Sequence, residues 1–159
     1  MYRRPYIHDD YVAGLEDTIL HLLLSCVLNS RAESSTLGAY IDTHAGAGLY
    51  RLESIKKKQH DAQKYSSLLF FKANLKNTTT VSFRSRLRNL NRSSRAMRLY
   101  PGAPALAKAF CRSADNLVLS EQDPTIYHRL LRNTSTWSNI AVLKTDGFEL
   151  ARRTLLSPD

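Results

Sequence analysis

Tyr40-Ile41-Asp42-Thr43-His44-Ala45-Gly46-Ala47-Gly48, YIDTHAGAG, runs from a short apolar segment straight into a glycine-rich bend. The chain has only six glycines, yet two of them fall one residue apart at this junction. A tight turn explains them if its backbone demands residues without a Cβ. A ligand explains them if the junction is strand–Gly-x-Gly–helix, where backbone N–H groups approach a bound molecule closely.

Working outward, residues 37–43 read as a first strand, continuous and apolar as a buried parallel strand should be. Leu49 onward then reads as the start of the next helix. Asn116 to Glu121, NLVLSE, reads as a second buried strand ending on an acid. QDPTIYHRLL follows, with Asp123 as N-cap and Pro124 at the first helical position. Ile140 to Lys144, IAVLK, is a third short strand, closed by TDGF at 145–148. LYPGAP (Leu99–Pro104) breaks the chain, and Pro104 suits the first turn of a helix reaching about Arg112. On the N-terminal side, Leu15, Ile19, Leu22, Leu23 and Cys26 recur at helical spacing over 15–29, and Asp17 suits the positive end of that helix's dipole. Strand–helix–strand–helix–strand predicts an α/β fold with parallel pairing.

The totals agree. With 159 residues, 43% apolar and 23% charged, the chain has the make-up of a single globular domain and not of a disordered one. The one long apolar run, ILHLLLSCVL from Ile19 to Leu28, falls short of the roughly 20 residues a bilayer needs and reads as a buried helix. Asp9, Asp10, Glu16 and Asp17 lie ahead of it, against a signal or transit peptide. Cys26 and Cys111 lack metal-ligand spacing, as do His8, His60 and His128, so no metal is assigned and a reduced, cytoplasmic setting is expected, or an organellar one in a eukaryote. Asn77, Asn91 and Asn133 open Asn-x-Ser/Thr triplets, read as chance matches.

The charge is localised. Arg51 to Arg98 holds 13 Lys and Arg against two acids, Glu53 and Asp61, whereas the remainder holds 10 against 12. This block has no proline or glycine, and its cations alternate with Leu, Phe and Tyr. It reads as two or three helices inserted between the first two strands, facing a polyanion, most simply nucleic acid. Tyr65, Phe70 and Phe71 within it serve as core contacts or as stacking surfaces for bases. Trp137 and Tyr127 read as packing residues. Three segments result: 1–50 with the first strand and glycine loop, the basic insertion 51–98, and 99–159 with the second and third strands.

In a doubly wound sheet, ligands bind beyond the carboxyl ends of the strands. Asp42, His44, Gly46 and Gly48 fall there after the first strand, Glu121 after the second, and Asp146-Gly147 after the third. A carboxylate has two oxygens and can accept from both hydroxyls of a ribose. An acid past the third strand can accept from an exocyclic adenine amine. Three such groups in register describe an adenosyl pocket. The spacing lacks the third glycine of G-x-G-x-x-G, which favours S-adenosylmethionine over a dinucleotide.

YIDTHAGAGLY (40–50), RLYPGAPALA (98–107), LVLSEQDP (117–124) and KTDGF (144–148) also carry a resemblance. In order and spacing they resemble the bacterial RlmJ family, S-adenosylmethionine-dependent methyltransferases of adenine N6 in large-subunit ribosomal RNA. The resemblance implies a class I methyltransferase fold, Rossmann-like, with a helical insertion after the first strand. It implies cofactor contacts at His21, His44, Gly46, Gly48, Glu121, Asp146 and Gly147. His21 closes EDTILH (16–21), which resembles the family's ADVLKH with Leu20 in place of the lysine. By itself, His21 on an apolar helix reads as a satisfied core histidine. His44 has a bland reading too, as a turn residue bonded to its own backbone. Tyr6 matches a family tyrosine that touches RNA. Lys56, Lys57, Lys58, Arg84, Arg86, Arg88, Arg92 and Arg95 are the cations expected on RNA phosphates.

Besides Leu20, the chain departs from the family pattern in three places. VAGL (12–15) stands where the family has HAGN, and Ala103 replaces the serine of YPGSP, which removes a hydrogen bond of about 0.5–1.5 kcal/mol. The family's Asp-Pro-Pro-Tyr, which accepts the amine hydrogens and stacks the base, does not occur in the sequence, whose last residues are LLSPD. The expectation is therefore an α/β methyltransferase incomplete at its C-terminal side, with no catalytic residue of its own and an unpaired strand, the third or another, through which it associates. The alternative is a non-catalytic RNA-binding or ribosome-associated remnant of the family.

Overall fold

A computed structural model describes residues 12–32, 38–52, 76–94 and 96–156. The described elements are α1 (Leu15–Ala32), β1 (Ala39–Asp42), β2 (Leu49–Arg51), α2 (Thr78–Leu90), β3 (Leu99–Pro101), α3 (Ala103–Phe110), β4 (Asn116–Ser120), α4 (Pro124–Thr134), β5 (Ile140–Leu143) and α5 (Gly147–Leu156). The chain divides into two compact units, one of residues 1–23 and 50–100, the other of 24–49 and 101–159.

The second unit carries the parallel sheet, in the order β1-β4-β5. Ala39 to Asp42 pair in register with Asn116 to Leu119, and Leu117 to Ser120 with Ile140 to Leu143. The three expected strands form, each within a residue or two of its predicted bounds. Leu119 and Leu130 are fully buried and meet Ala45, with Tyr40, Trp137, Ile140 and Val142 packed around them. The glycine loop is thus bolted to the sheet through its own alanine. Pro124 starts α4 as expected, and Asp123 Oδ1 accepts from Ile126 N at 2.9 Å. Pro104 likewise sits in the first turn of α3.

A carboxylate ties the entrances of β1 and β4 together. Asp115 Oδ1 accepts from Gly38 N at 3.0 Å and Arg112 Nη2 at 2.8 Å, while Oδ2 accepts from Arg112 N and Nε. The Arg112 guanidinium holds the Asp115 carboxyl well below the usual carboxylate range, helped by the Arg112 and Gly38 N–H groups. A carboxyl with a depressed folded pKa stabilises the fold above its unfolded pKa, and that contribution disappears as pH falls through the folded value. Thermal melts should therefore drop more steeply between about pH 5 and about pH 2 in the native chain than in Asp115→Asn. Parallel profiles would contradict this role.

Three expectations bear on these elements, and the first and third are corrected. Leu49 does not start a helix. It opens β2, which pairs with β3 in a two-stranded ribbon, bracketed by Leu52 N to Arg98 O at 2.8 Å and Gly102 N to Gly48 O at 2.9 Å. The two bonds run in opposite register, so the pairing is antiparallel. Of the helices expected in 51–98, α2 is described, and residues 53–75 lie outside the described residues. Tyr6, Lys56, Lys57, Lys58, Tyr65, Phe70, Phe71, His8, His60 and Arg95 also lie outside them.

The third expectation concerns the faces of α1. Leu15, Ile19 and Leu23, expected to be buried, are exposed, and so are Leu20, Cys26 and Val27. The buried face carries Asp17, Thr18, His21, Ser25 and Leu28. The polar groups on it have partners: Asp17 Oδ2 accepts from Ala13 N at 3.0 Å, Thr18 Oγ1 donates to Gly14 O at 2.8 Å, and His21 Nδ1 lies 2.9 Å from Tyr100 Oη. Once bonded, polar groups tolerate burial. Helical spacing located the element and misassigned its inner face. No described helix is long and apolar enough to cross a membrane.

Candidate cofactor site

The loops after β1, β4 and β5 meet around one cavity of about 470 Å³. Thr43 and His44 line it from the first loop, Glu121 to Pro124 from the second and Gly147 from the third. The volume lies within the range of small-molecule sites, roughly 300–1,000 Å³.

Each wall is fixed by the local sequence. Asp42 ends β1 and its Oδ1 accepts from His44 N at 3.1 Å, an Asx-type turn that reverses the chain. Its Oδ2 accepts from Tyr40 Oη at 2.9 Å. Burial raises the Asp42 carboxyl, opposed by the Tyr40 and His44 hydrogen bonds, and burial with the nearby Asp42 charge pushes the Tyr40 phenol far above its usual value. Asp42 thus builds the turn and is not among the lining residues. His44 Nδ1 lies 2.9 Å from Thr43 Oγ1, and its ring meets Phe148 edge-on at 5.3 Å between centroids. The turn reading of His44 holds for its backbone, and the residue lines the cavity.

Glu121 is the best-placed ligand group. Oε2 accepts from Gly46 N at 3.1 Å and Oε1 from Asp123 N at 2.8 Å. One N–H on each oxygen fixes the carboxylate plane and leaves about one lone pair per oxygen for a ligand. The strand end beneath it is anchored by Ala45 N to Ser120 O at 2.9 Å and Glu121 N to Leu143 O at 3.0 Å.

The two glycines of the opening motif act through shape. Gly46 and Gly48 have φ of 60° and 71°, the left-handed region that disfavours a Cβ, and neither is among the lining residues. The turn explanation accounts for them, and Gly46 N–H goes to Glu121 and not to open space. Asn133 Nδ2 donates to Ala47 O at 2.8 Å and Leu49 O at 3.1 Å, holding the loop from α4. Nothing local in the sequence marks Asn133 for this task.

Of Asp146 and Gly147, only Gly147 is among the lining residues. Asp146 Oδ1 accepts from Phe148 N at 2.9 Å and Glu149 N at 3.1 Å, capping α5, a helix that the reading of TDGF as a closing turn did not anticipate. Its Oδ2 is the oxygen left to a ligand. Gly147 is required by space: a Cβ there would strike the Thr43 carbonyl, with its carbon 2.8 Å and His44 Cε1 2.9 Å away. Only a glycine lets the first and third loops close to this separation.

His21 belongs to the first unit. Its ring is buried and stacks on Tyr100 at 5.4 Å, as a satisfied core histidine would, and it is not among the cavity-lining residues. Arg84 and Arg88, four residues apart, share one face of α2, Arg86 lies on another, and Arg92 is exposed in the turn that follows. Among the described residues no cluster of three His, Cys, Asp or Glu could hold a metal.

Three parallel strands whose C-terminal loops converge on one carboxylate-bearing cavity define a Rossmann-like α/β fold. The glycine loop's DTHAGAG and the ribbon's YPG-P lie within the segment that a methyltransferase family model matches. The chain belongs to the RsmJ family, described as ribosomal RNA large subunit methyltransferase D, RlmJ, whose model matches residues 35–159. Ribosomal RNA large subunit methyltransferase J of Haemophilus influenzae is 27% identical over 150 residues, 94% of this chain and 53% of that protein. Its Escherichia coli counterpart is 28% identical over 144 residues, 91% of this chain and 51% of that protein. A crystal structure of a Legionella pneumophila protein of the DUF519 family aligns with a TM-score of 0.78 at 26% identity, over 92% of this chain and 53% of that one. The chain spans about half the length of the curated relatives it matches.

Proposed function

We propose that this chain supplies the cofactor-binding part of an S-adenosylmethionine-dependent methyltransferase acting on adenine N6 of large-subunit ribosomal RNA. The observation that carries the reading is the cavity in which His44, Glu121 and Gly147 converge. Its residues fit a nucleoside: a fixed carboxylate with lone pairs to offer two hydroxyls, and a wall opposite that a Cβ would fill.

S-adenosylmethionine, when bound, supplies a methyl group made electrophilic by its sulfonium. The chain's own residues bind and orient. Glu121 holds the ribose, Asp146 Oδ2 accepts from the adenine amine of the cofactor, and His44 with Phe148 forms an aromatic flank. Such positioning lowers the barrier by prepaid orientation and involves no covalent intermediate. Lysines and arginines of the 51–98 segment hold the RNA by its phosphates.

The acceptor for the target amine's hydrogens, Asp-Pro-Pro-Tyr in the family resembled, is absent from the 159 residues. The second reading is a non-catalytic RNA-binding member of the family. Radiolabelled methyl transfer to large-subunit ribosomal RNA tests both. The chain alone should bind the cofactor without turnover, and adding a polypeptide that carries the rest of the family's length should produce N6-methyladenine. Binding of both polypeptides and the cofactor without transfer would leave only the non-catalytic reading.

The same added polypeptide is the occupant we assign to the sheet edge. β1 and β5 are the edges of the described sheet, with Ile41 and Leu143 exposed on them. Leu15, Ile19, Leu23 and Val27, spaced four apart, are 49–66% exposed, an apolar stripe rather than scattered residues. Alone, the chain should self-associate in sedimentation velocity, and the added polypeptide should suppress this. A monodisperse monomer would contradict it.

A further inference from the structure

A second, smaller cavity lies in the first unit, between the end of the β2–β3 ribbon and the turn that follows α2. It measures about 130 Å³, and Arg51, Arg98, Ser93, Ser94 and Asn91 line it. We propose that this cavity seats one phosphodiester of the RNA, a site that rests on the RNA reading above and that the charge count alone did not single out.

Three observations support it. The cations come from two different strands: Arg51 is the last residue of β2 and Arg98 immediately precedes β3, and Leu52 N to Arg98 O at 2.8 Å locks their backbones together. Guanidiniums with exposed ends on a fixed backbone suit the forked recognition of phosphate oxygens. Next, among the described residues no carboxylate lines the cavity, and residues 76–101 carry seven Lys and Arg with no acid at all. Last, the adjacent helix end is neutralised. A helix C-terminus repels anions, but Asn91 Nδ2 takes up the Leu87 carbonyl at 2.8 Å and Leu99 O at 2.9 Å, while its Oδ1 accepts from Arg98 N at 2.8 Å. Ser93 and Ser94 add hydroxyls at the same turn, Ser94 Oγ also accepting from Ala96 N at 3.1 Å.

The test measures the affinity of the full chain for a fluorescent single-stranded oligoribonucleotide across a potassium chloride series. Arg51→Gln/Arg98→Gln should flatten the log–log salt slope by about 0.7, one phosphate contact on a single strand. The loss should be equal for two unrelated RNA sequences, because phosphate contacts position and do not specify. Arg152→Gln, which removes a charge ion-paired to Glu149 in the other unit, is the control and should change the slope less. Each single variant, Arg51→Gln and Arg98→Gln, should give a partial effect, so a folding defect in the double variant does not decide the matter. An unchanged slope in all three, with RNA still bound, would overturn the site and leave the RNA reading intact. If the native chain fails to bind RNA while inorganic phosphate raises its melting temperature in an Arg51- and Arg98-dependent way, the RNA assignment is overturned and free phosphate is the ligand.

Discussion

Gly147→Ala is expected to destabilise the chain by on the order of 3 kcal/mol and to abolish binding of S-adenosylmethionine. The added methyl has no space, because the Thr43 backbone occupies its position and His44 Cε1 lies 2.9 Å away. Backbone cannot rotate aside as a side-chain tip can, so the loops after β1 and β5 must separate. That separation opens the cavity they share. Gly48→Ala is the informative comparison. Its φ of 71° strains a Cβ, but the nearest obstacle is the end of a leucine side chain, Leu130 Cδ1 at 3.0 Å. A left-handed alanine costs about 1–2 kcal/mol, so Gly48→Ala should be the milder of the two. Urea unfolding of both variants gives the order directly. Equal midpoints would refute the distinction between a glycine needed for space and one needed for conformation.

Asn91→Ala is the second large effect, also about 3 kcal/mol, in the unit that carries α2. Asn91 is 3% exposed and uses its full amide: Nδ2 donates to Leu87 O and Leu99 O, and Oδ1 accepts from Arg98 N and Leu99 N, all within 2.8–2.9 Å. Truncation leaves several backbone groups without these partners at a buried position, and desolvated orphans cost more than the bonds themselves contribute net. Hydrogen exchange gives a local readout. The Arg98 and Leu99 amides should lose protection in Asn91→Ala beyond the loss expected from the global change. Retained protection at both would contradict the clamp. Because Asn91 also shapes the small arginine-lined cavity, the same variant should weaken RNA binding without touching the cofactor cavity's own residues.

The sequence made some of this legible. The sheet could be read because NLVLS and IAVL are short continuous apolar runs bounded by turn residues, although β5 is only half-buried. Asp123-Pro124 could be read because capping is a local chemistry of adjacent residues. The β2–β3 ribbon could not: three-residue strands are too short to show any period, and their pairing spans about fifty residues of chain. α1 was half legible. Its period is helical, but the polar residues on one side find partners and turn inward, and no single-sequence pattern reveals those partners in advance. Asn91 and Asn133 were invisible for the same reason. Each reads in the sequence only as the start of a chance Asn-x-Ser/Thr triplet, and each is defined by carbonyls that the fold delivers from elsewhere.

The candidate site was legible as a set of strand ends and not as a set of roles. His44, Glu121 and Gly147 were predicted to meet, and they line one cavity. Asp42, Gly46 and Gly48 build the loop instead of lining the space. Asp146 has one oxygen engaged in a helix cap. The difference between lining a cavity and shaping it depends on where a few N–H groups point, which is settled by tertiary contacts such as Gly46 N to Glu121 Oε2.

The central claim is that the loops after β1, β4 and β5 hold the nucleoside of S-adenosylmethionine. A crystal structure of the chain with S-adenosylhomocysteine tests it most directly. The account predicts the ribose hydroxyls on the Glu121 carboxylate and the adenine against the Asp146–Phe148 turn. A nucleoside found away from Glu121, or a cavity still empty at saturating ligand, would contradict it.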